Sequence, residues 1–454
     1  MTRIQPSKHL LLFSIFILSQ LTLFAQKVSL AFVGDVMQHG PQIKGAYNAK
    51  LDQYEYDPSF QFIKPFISSV DLSIANLEVT HNGKPYSGYP QYSAPDDLSD
   101  ALKRAGFGVL ITANNHSCDG GAKGVIRTLD VLDSLKIPHT GTFRNKAERD
   151  QNYPLIVERK GLKIAILNYT YGTNGLFVKE PLIINYIDSA SIKKDVEKAK
   201  KQADYIICTV HWGNEYQSKP NAYQKSWEKY IYEQGVDMIV GSHPHVIQPI
   251  ERKVVAGKER LTAYSLGNFV SNQRDRYKNG GLMLFANIEK EDSSVKLKDV
   301  NYRFAYVHTK LVGGFKHYYI LPSYNYSKDS GFIEGEDLKA MQLFLDDSRK
   351  LYAANNVGNV KEASAEPNEF VDLLLEGYYS VMITEQTKYN KLMARENLDY
   401  AHRYVDPEGR AYWLCGMNKS KLAAEQNRFL LEAMKVKGEL KIVWVTRKGL
   451  KPVE

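Results

Sequence analysis

Cysteine is scarce, with three residues in 454, at Cys118, Cys208 and Cys415, and no CxxC pair. An odd, widely spaced set is not a disulfide framework, and without CxxC a thiolate zinc knuckle is excluded. Cys208 sits inside an apolar run and reads as a small buried residue. The chain also lacks a polybasic run, although 59 basic residues outnumber 51 acidic ones for a net charge of +8. A nucleic-acid binder would show a basic stripe or a recognition motif, so nucleic acid is not an expected partner. No segment after the N-terminus is long and apolar enough to span a membrane. Internal repeats and low-complexity tracts are missing too. With 43% hydrophobic and 24% charged residues, the chain is neither disordered nor fibrous and can bury a core without disulfide staples. Length alone allows about three domains.

What is present begins with an export signal. Arg3 and Lys8 form a positive region, Leu10 to Phe24 is almost wholly apolar, and small Ala25 precedes Gln26. This pattern predicts a secretory signal peptide over residues 1–25 and an exported protein, placed in the periplasm, at the cell surface or outside the cell. The apolar stretch is short for a transmembrane helix, which needs about 20 residues. The segment carries those two cations and no acid, so its removal takes the net charge from +8 to +6.

The body of the chain alternates short apolar runs with amphipathic stretches. Strands are expected at Val28–Val33, Leu72–Ala75, Val109–Thr112, Lys163–Leu167, Tyr205–Val210 and Met238–Val240. Helices are expected at Phe60–Ser69, Asp96–Ala105, Ala122–Leu135, Ser191–Ala203 and Gln224–Gln234. Strands that are apolar throughout are buried on both faces, which predicts an α/β fold. Past residue 290 the pattern loosens. Val300–Thr309, Phe315–Leu321 and Glu439–Thr446 read as strands, Asp337–Leu351, Asn368–Lys388 and Lys421–Met434 as helices, and Ala353–Pro367 as a polar linker.

Each of the six early strands ends in polar, metal-competent residues. The candidates are Asp35, Glu78, Asn115, His211, His243 and His245. Ligands of α/β folds gather beyond the carboxyl ends of the strands, so these residues are expected to converge. Carboxylate, amide oxygen and imidazole together suit Mn²⁺, Fe²⁺ or Zn²⁺. Pro244 stiffens the loop that presents His243 and His245. Two metals need a shared ligand, and Glu78 is the best-placed carboxylate to bridge them. Taken singly, each residue has an ordinary structural explanation as a turn former or loop charge. Their recurrence at one edge is what predicts a site.

The stretches Gly34-Asp35-Val36-Met37, Ala75-Asn76-Leu77-Glu78, Ala113 to Gly121, His211 to Tyr216, Gly241 to Val246 and Tyr264 to Phe269 resemble, in order, the motifs of the CapA family. That family is associated with bacterial poly-γ-glutamate capsule synthesis and is related to calcineurin-like metallophosphoesterases. The resemblance covers about residues 28–290. It implies a four-layer α/β/β/α sandwich with two divalent metal ions (Mn, Fe or Zn). Asp35 and His245 would hold one ion, Asn115, His211 and His243 the other, and Glu78 would bridge. His116 would act beside the metals as proton donor or transition-state stabiliser, oriented by Asp119. The wider superfamily has Asp-x-His at the first strand, and Met37 stands here at the third position. One ion is therefore expected to bind weakly unless His39 substitutes.

The resulting division is 1–25 signal peptide, 26–295 CapA-like metallophosphoesterase-fold domain and 296–454 an α+β C-terminal extension. Glu215, Gln248, Glu251, Tyr264 and Asn268 are expected to line a substrate groove. The functional expectation is a metal-dependent hydrolase or transferase acting on an anionic cell-surface polymer such as poly-γ-glutamate, with envelope partners. The competing readings are a phosphodiesterase using the same residues and a polymer-binding protein without turnover.

Overall fold

The computed structural model describes residues 26–363 apart from residue 50 and residues 324–332, and beyond 363 mainly the strands between 378 and 453. The expected signal segment, residues 1–25, lies outside the described residues. The chain opens with β1 (Lys27–Val36), β2 (Leu72–Leu77), β3 (Val109–Ile111) and β4 (His139–Thr140), each pairing in parallel with the next. It then builds a second sheet from β5 (Leu155–Arg159), β6 (Leu162–Thr170), β7 (Tyr205–His211), β8 (Met238–Ser242), β9 (Ile250–Val255) and β10 (Lys258–Ala263). The order of that sheet is β9-β10-β8-β7-β6-β5. The chain returns to the first sheet with β11 (Asn268–Val270), parallel to the end of β1. The antiparallel strands β12 (Gly280–Glu291), β13 (Ser294–Val312) and β14 (Phe315–Pro322) follow. The first sheet thus runs β14-β13-β12-β1-β2-β3-β4.

Side-chain alternation assembles the layers, because successive residues of a strand point to opposite faces. Val28, Leu30 and Phe32 of β1 share a core with Ile164, Ile166 and Ile207 of the second sheet. Ala31 and Val33 face the other way, against Phe60, Phe66, Leu98 and Leu102. These belong to the helices α2 to α4, at Asp57–Phe60, Lys64–Ile67 and Asp97–Arg104, which follow α1 (Gly40–Ala46) and precede α5 (Gly121–Ser134). Next come α6 (Lys146–Asn152), α7 (Ser189–Ala199) and α8 (Ala222–Gln234). Ile206, Cys208 and Val210 of β7 pack on Ile192 and Val196 of α7 and on Ile231 of α8. The result is a four-layer α/β/β/α sandwich. Local capping agrees with it: Asp188 caps α7, and Asn221 with Gln224 forms a capping box on α8.

Four expectations need correction. The expected helix Phe60–Ser69 is not continuous: α2 ends at Phe60 and α3 is a single turn that starts at Lys64, with Pro65 in the first-turn position where its missing N–H costs no helical bond. The boundary at 295 falls inside the β12–β13 hairpin, where Glu291 pairs with Ser294. Residues 294–322 therefore complete the first sheet. The helix α9 (Gly335–Asn355) then packs Met341, Phe344 and Leu345 into the core between the sheets. The expected linker is partly structured, since Lys361–Glu362 pairs in parallel with Asn301–Tyr302. Within the expected helix Asn368–Lys388, Tyr378–Ile383 is a strand, β15, held on both sides. It joins β16 (Ala401–Val405), β17 (Ala411–Asn418), β18 (Leu440–Thr446) and β19 (Gly449–Pro452) in an antiparallel sheet, ordered β16-β17-β15-β18-β19. Of Lys421–Met434, Lys421, Ala424, Glu425 and Arg428 are helical, and the rest lies outside the described residues.

Candidate metal centre

Asp35, Glu78, Asn115, His211, His243 and His245 stand at the carboxyl ends of β1, β2, β3, β7 and β8, and all six are buried. At Gly34 the chain crosses the β10–β11 connection so closely that a Cβ would lie 1.9 Å from the Gly267 carbonyl oxygen. Only glycine permits that approach. The Asp35 N–H donates to the same carbonyl at 3.0 Å, and the register with β2 shifts between Val33 and Asp35, which turns the carboxylate toward the second sheet. His243 and His245 both adopt left-handed backbone, with φ of 99° and 57°. Such conformations cost on the order of 1–3 kcal/mol each and persist where the surroundings over-determine them. Here Pro244 between them accepts the Tyr216 N–H at 2.8 Å.

The side chains converge as the strand ends lead one to expect. His245 Nδ1 lies 3.0 Å from Asp35 Oδ2, and His211 Nε2 lies 2.9 Å from Asn115 Oδ1. Glu78 Oε1 is 3.6 Å from both His211 Nε2 and His245 Nε2. Ligand atoms of Glu78, His243 and His245 fall within 4.8 Å of one another, and so do those of Asp35, Glu78 and His211. Glu78 is common to both groups, which is the position a bridging carboxylate needs.

Two buried atoms here, Glu78 Oε1 and His243 Nδ1, make no hydrogen bond among the described residues. Leaving such an atom unsatisfied costs about 1–3 kcal/mol. A divalent cation between them would satisfy both, so the residues fit the ion that their chemistry implies. The electrostatics agree. Burial, then the charge of Asp35, pushes the Glu78 carboxyl well above its ordinary range. Burial and the neighbouring imidazoles hold His211 well below the usual histidine value and His243 down to about 3. Burial alone would raise Asp35, but its hydrogen bond to His245 and the charge of that ring outweigh it and lower the group. His211 and His243 are thus favoured in the neutral form, the one that ligates, and a cation would compete with the proton on Glu78.

Supporting residues surround the six. Asn76 Nδ2 donates to Asp35 Oδ1 at 2.9 Å and to Glu78 Oε2 at 3.4 Å, and Ser242 Oγ lies 3.0 Å from His211 Nδ1. The Tyr171 ring lies 4.5 Å from that of His243. Sequence reasoning assigned none of these three a role. Asn76 carried a usable signal, since it lies two residues before Glu78 and so on the same face. His116 Nδ1 is 2.8 Å from Asp119 Oδ2, the pairing expected for an oriented ring. Asp119 Oδ2 also accepts the Tyr92 N–H at 2.7 Å, and the Tyr92 ring meets His116 edge-on at 4.5 Å. Met37, at the position for which the resemblance led us to expect histidine, is buried. His39 does not replace it: its ring lies 3.3 Å from the Tyr92 hydroxyl and 3.2 Å from Gln42 Oε1.

The expected groove residues divide. Glu215 is exposed, and its charge acts on Glu78 and Tyr171, which places it at the mouth of the centre. Tyr264 is wholly buried, stacks near Trp212 and donates its hydroxyl to Glu228 at 2.7 Å. Gln248 is equally buried. It accepts from Gln224 at 2.7 Å and donates to the Gln217 carbonyl at 2.7 Å, tying down the loop after His211. Glu251 is paired with Lys253 at 2.7 Å on β9. These three brace the second sheet rather than face a ligand. Asn268 pairs with Asp35 in register, and its amide donates to Gln273 and to the Lys278 carbonyl, so it anchors β11 beside the centre.

Over residues 29–273, more than half of the chain, the sequence matches the family described as bacterial capsule synthesis protein PGA_cap. All six candidate ligands and His116 lie within that stretch. The capsule biosynthesis protein CapA of Bacillus anthracis is 30% identical over 260 residues, covering 55% of this chain and 61% of that protein. The PGA biosynthesis protein CapA of Bacillus subtilis (strain 168) is 32% identical over 263 residues, covering 54% and 64%. The match thus spans a little over three-fifths of the length of these relatives. The crystal structure of calcineurin-like phosphoesterase YfkN from Bacillus subtilis superimposes with a TM-score of 0.38 and 14% identity, covering 72% of this chain and 98% of that one. At that score the fold assignment rests on the sheet order and layers, not on this neighbour. The chain belongs to the PGA_cap family of bacterial capsule synthesis proteins.

Proposed function

We propose that this chain is an exported, divalent-metal-dependent hydrolase or transferase that acts on an anionic envelope polymer in capsule metabolism, with a γ-glutamyl amide as its target bond. The observation that carries the reading is the buried cluster in which Glu78 Oε1 and His243 Nδ1 lack partners among four further ligand-type residues. Asp35, Glu78, Asn115, His211, His243 and His245 would hold two ions, Mn, Fe or Zn, with the ion on the Met37 side held more weakly. Such ions supply Lewis-acid polarisation of the oxygen under attack.

The remaining roles fall to the chain's own side chains. Asp119 engages His116 Nδ1 and so leaves Nε2 as the atom that moves a proton to the departing amine nitrogen. Tyr92 closes over the ring and limits water on that side. Glu215 at the mouth would repel a polymer carboxylate from its own position and bias the register in which the chain enters. A transferase differs only in the acceptor, a cell-wall amine in place of water.

The test is a side-by-side assay of Mn²⁺-loaded protein on a γ-glutamyl polymer and on a model phosphodiester. Cleavage or transfer of the polymer supports the proposal, and turnover of the phosphodiester alone replaces it with phosphoesterase chemistry. A second reading, polymer binding without turnover, draws on Met37, whose thioether stands where the superfamily places an imidazole. Polymer binding that survives His211→Ala and Glu78→Gln at full strength would favour it.

A further inference from the structure

Where β13 turns into β14 the chain reads Lys310-Leu311-Val312-Gly313-Gly314-Phe315-Lys316. Val312 pairs with Phe315 across the two glycines, whose φ values are 58° and 85°, the geometry of a tight two-residue hairpin turn. Leu311 is 69% exposed and Phe315 is 53% exposed. Further along β14, Tyr318, Tyr319, Ile320 and Leu321 are all buried. Folding therefore leaves the apolar side chains of the tip in water, bracketed on both strands by lysine.

The pairing shows which way the tip points. The last rung between β12 and β13 joins Gly280 to Tyr306, next to the Gly267–Gly281 bridge that lies against the Asp35 turn. From that level β13 continues through Val307 to Val312. At about 3.3 Å per residue this is an overhang of roughly 20 Å. The tip thus projects past the same strand edge that carries the candidate metal centre. Gly45 of α1 packs against the Lys316 carbonyl, where a Cβ would come within 1.9 Å of the oxygen. Lys44 and Tyr47, which flank this contact in sequence, are both exposed. Tyr47 donates to Asp52, and Asn48 and Gln53 donate to Glu55.

We propose that this hairpin is a membrane-docking wedge. Leu311, Val312 and Phe315 enter the interface of an anionic bilayer, and Lys310, Lys316 and Lys44 meet the headgroup phosphates. Apolar side chains flanked by long cationic ones suit that boundary, since the stems lie in the apolar layer while the ammonium groups stay with the phosphates. The small apolar area of the tip argues for a bilayer over a protein partner, whose stable interface needs about 800 Å² per side. Docked this way, the metal centre faces the membrane surface.

Hydrogen–deuterium exchange of the full chain, with and without vesicles, tests this locally, whatever the apolar N-terminal segment does. Phosphatidylglycerol-containing vesicles should slow exchange across residues 309–317 by about threefold or more, and pure phosphatidylcholine vesicles should not. Leu311→Ser combined with Phe315→Ser, and separately Lys310→Glu combined with Lys316→Glu, should each abolish the protection and leave the amides of β7 and β8 unchanged. Equal exchange with and without anionic vesicles would overturn the proposal. So would protection that depends on protein concentration alone, or that a soluble γ-glutamyl polymer produces in the absence of lipid.

Discussion

At the scale of single residues, the centre turns on two buried atoms, Glu78 Oε1 and His243 Nδ1, that make no hydrogen bond among the described residues. Burial and the charge of Asp35 both favour the neutral form of Glu78, and a bound cation would favour the carboxylate. Glu78→Gln keeps the shape but removes the bridge, and the account expects it to reduce bound Mn²⁺ by at least one ion per chain, read by elemental analysis after gel filtration. Asp119 hydrogen-bonds His116 and the Tyr92 N–H, and it is not among the six candidate ligands. Asp119→Asn should therefore leave Mn²⁺ content unchanged while turnover of a γ-glutamyl amide falls by about ten- to a hundredfold; equal turnover would remove His116 from the reaction. The convergence of the six candidate residues was legible in the sequence because each follows an apolar strand and is of a type that can bind metals. Tyr264, Gln248 and Glu251 were misassigned because nearness to a motif in sequence is not nearness to the site. The side chain of Tyr264 turns into the helix-facing layer, where Glu228 binds its hydroxyl. The role of Ser242 stayed hidden because it arises from a contact between the ends of two strands, which no local pattern encodes.

At the scale of elements, β1 and its crossing strap form one device. Gly34 lets the chain pass under Gly267, and that contact sets both the Asp35 carboxylate and β11. Gly34→Ala must separate the two segments, so it should cost about 1–3 kcal/mol in urea unfolding and weaken metal binding with it. An unchanged midpoint would show that the crossing is looser than the geometry indicates. The doubly buried strands were readable as continuous apolar runs. β13 was not fully readable, because it is antiparallel and half-exposed at both ends, so its lysines hide 19 residues of pairing. Tyr378–Ile383 was mistaken for helix because a short apolar run has no decisive period. Pairing with β17 and β18 on either side settles it as a strand.

At the scale of the whole molecule, the expected two-part division gives way to one sandwich that includes β12, β13, β14 and α9, followed by the β15–β19 sheet. Acid stability tests the packing of that enlarged sandwich. His308, buried on β13, is pushed down to about 4 by burial and by nearby Arg274 and Lys310. An unfolded histidine protonates near pH 6.5, so between about 6.5 and 4 the unfolded chain binds the extra proton and stability falls as pH falls. The loss from this group is about 2–3 kcal/mol by pH 4, and His308→Gln should remove that part of the slope in urea midpoints measured from pH 7.5 to 4.5. Identical slopes would mean that the ring is hydrated in the folded protein. The claim on which the proposed function rests is that this edge of the sandwich binds divalent metal. Elemental analysis of the purified chain, loaded with Mn²⁺ or Zn²⁺ and passed through gel filtration, measures it directly. The account expects between one and two ions per chain, lost in His211→Ala; a wild-type chain that retains almost none would contradict it.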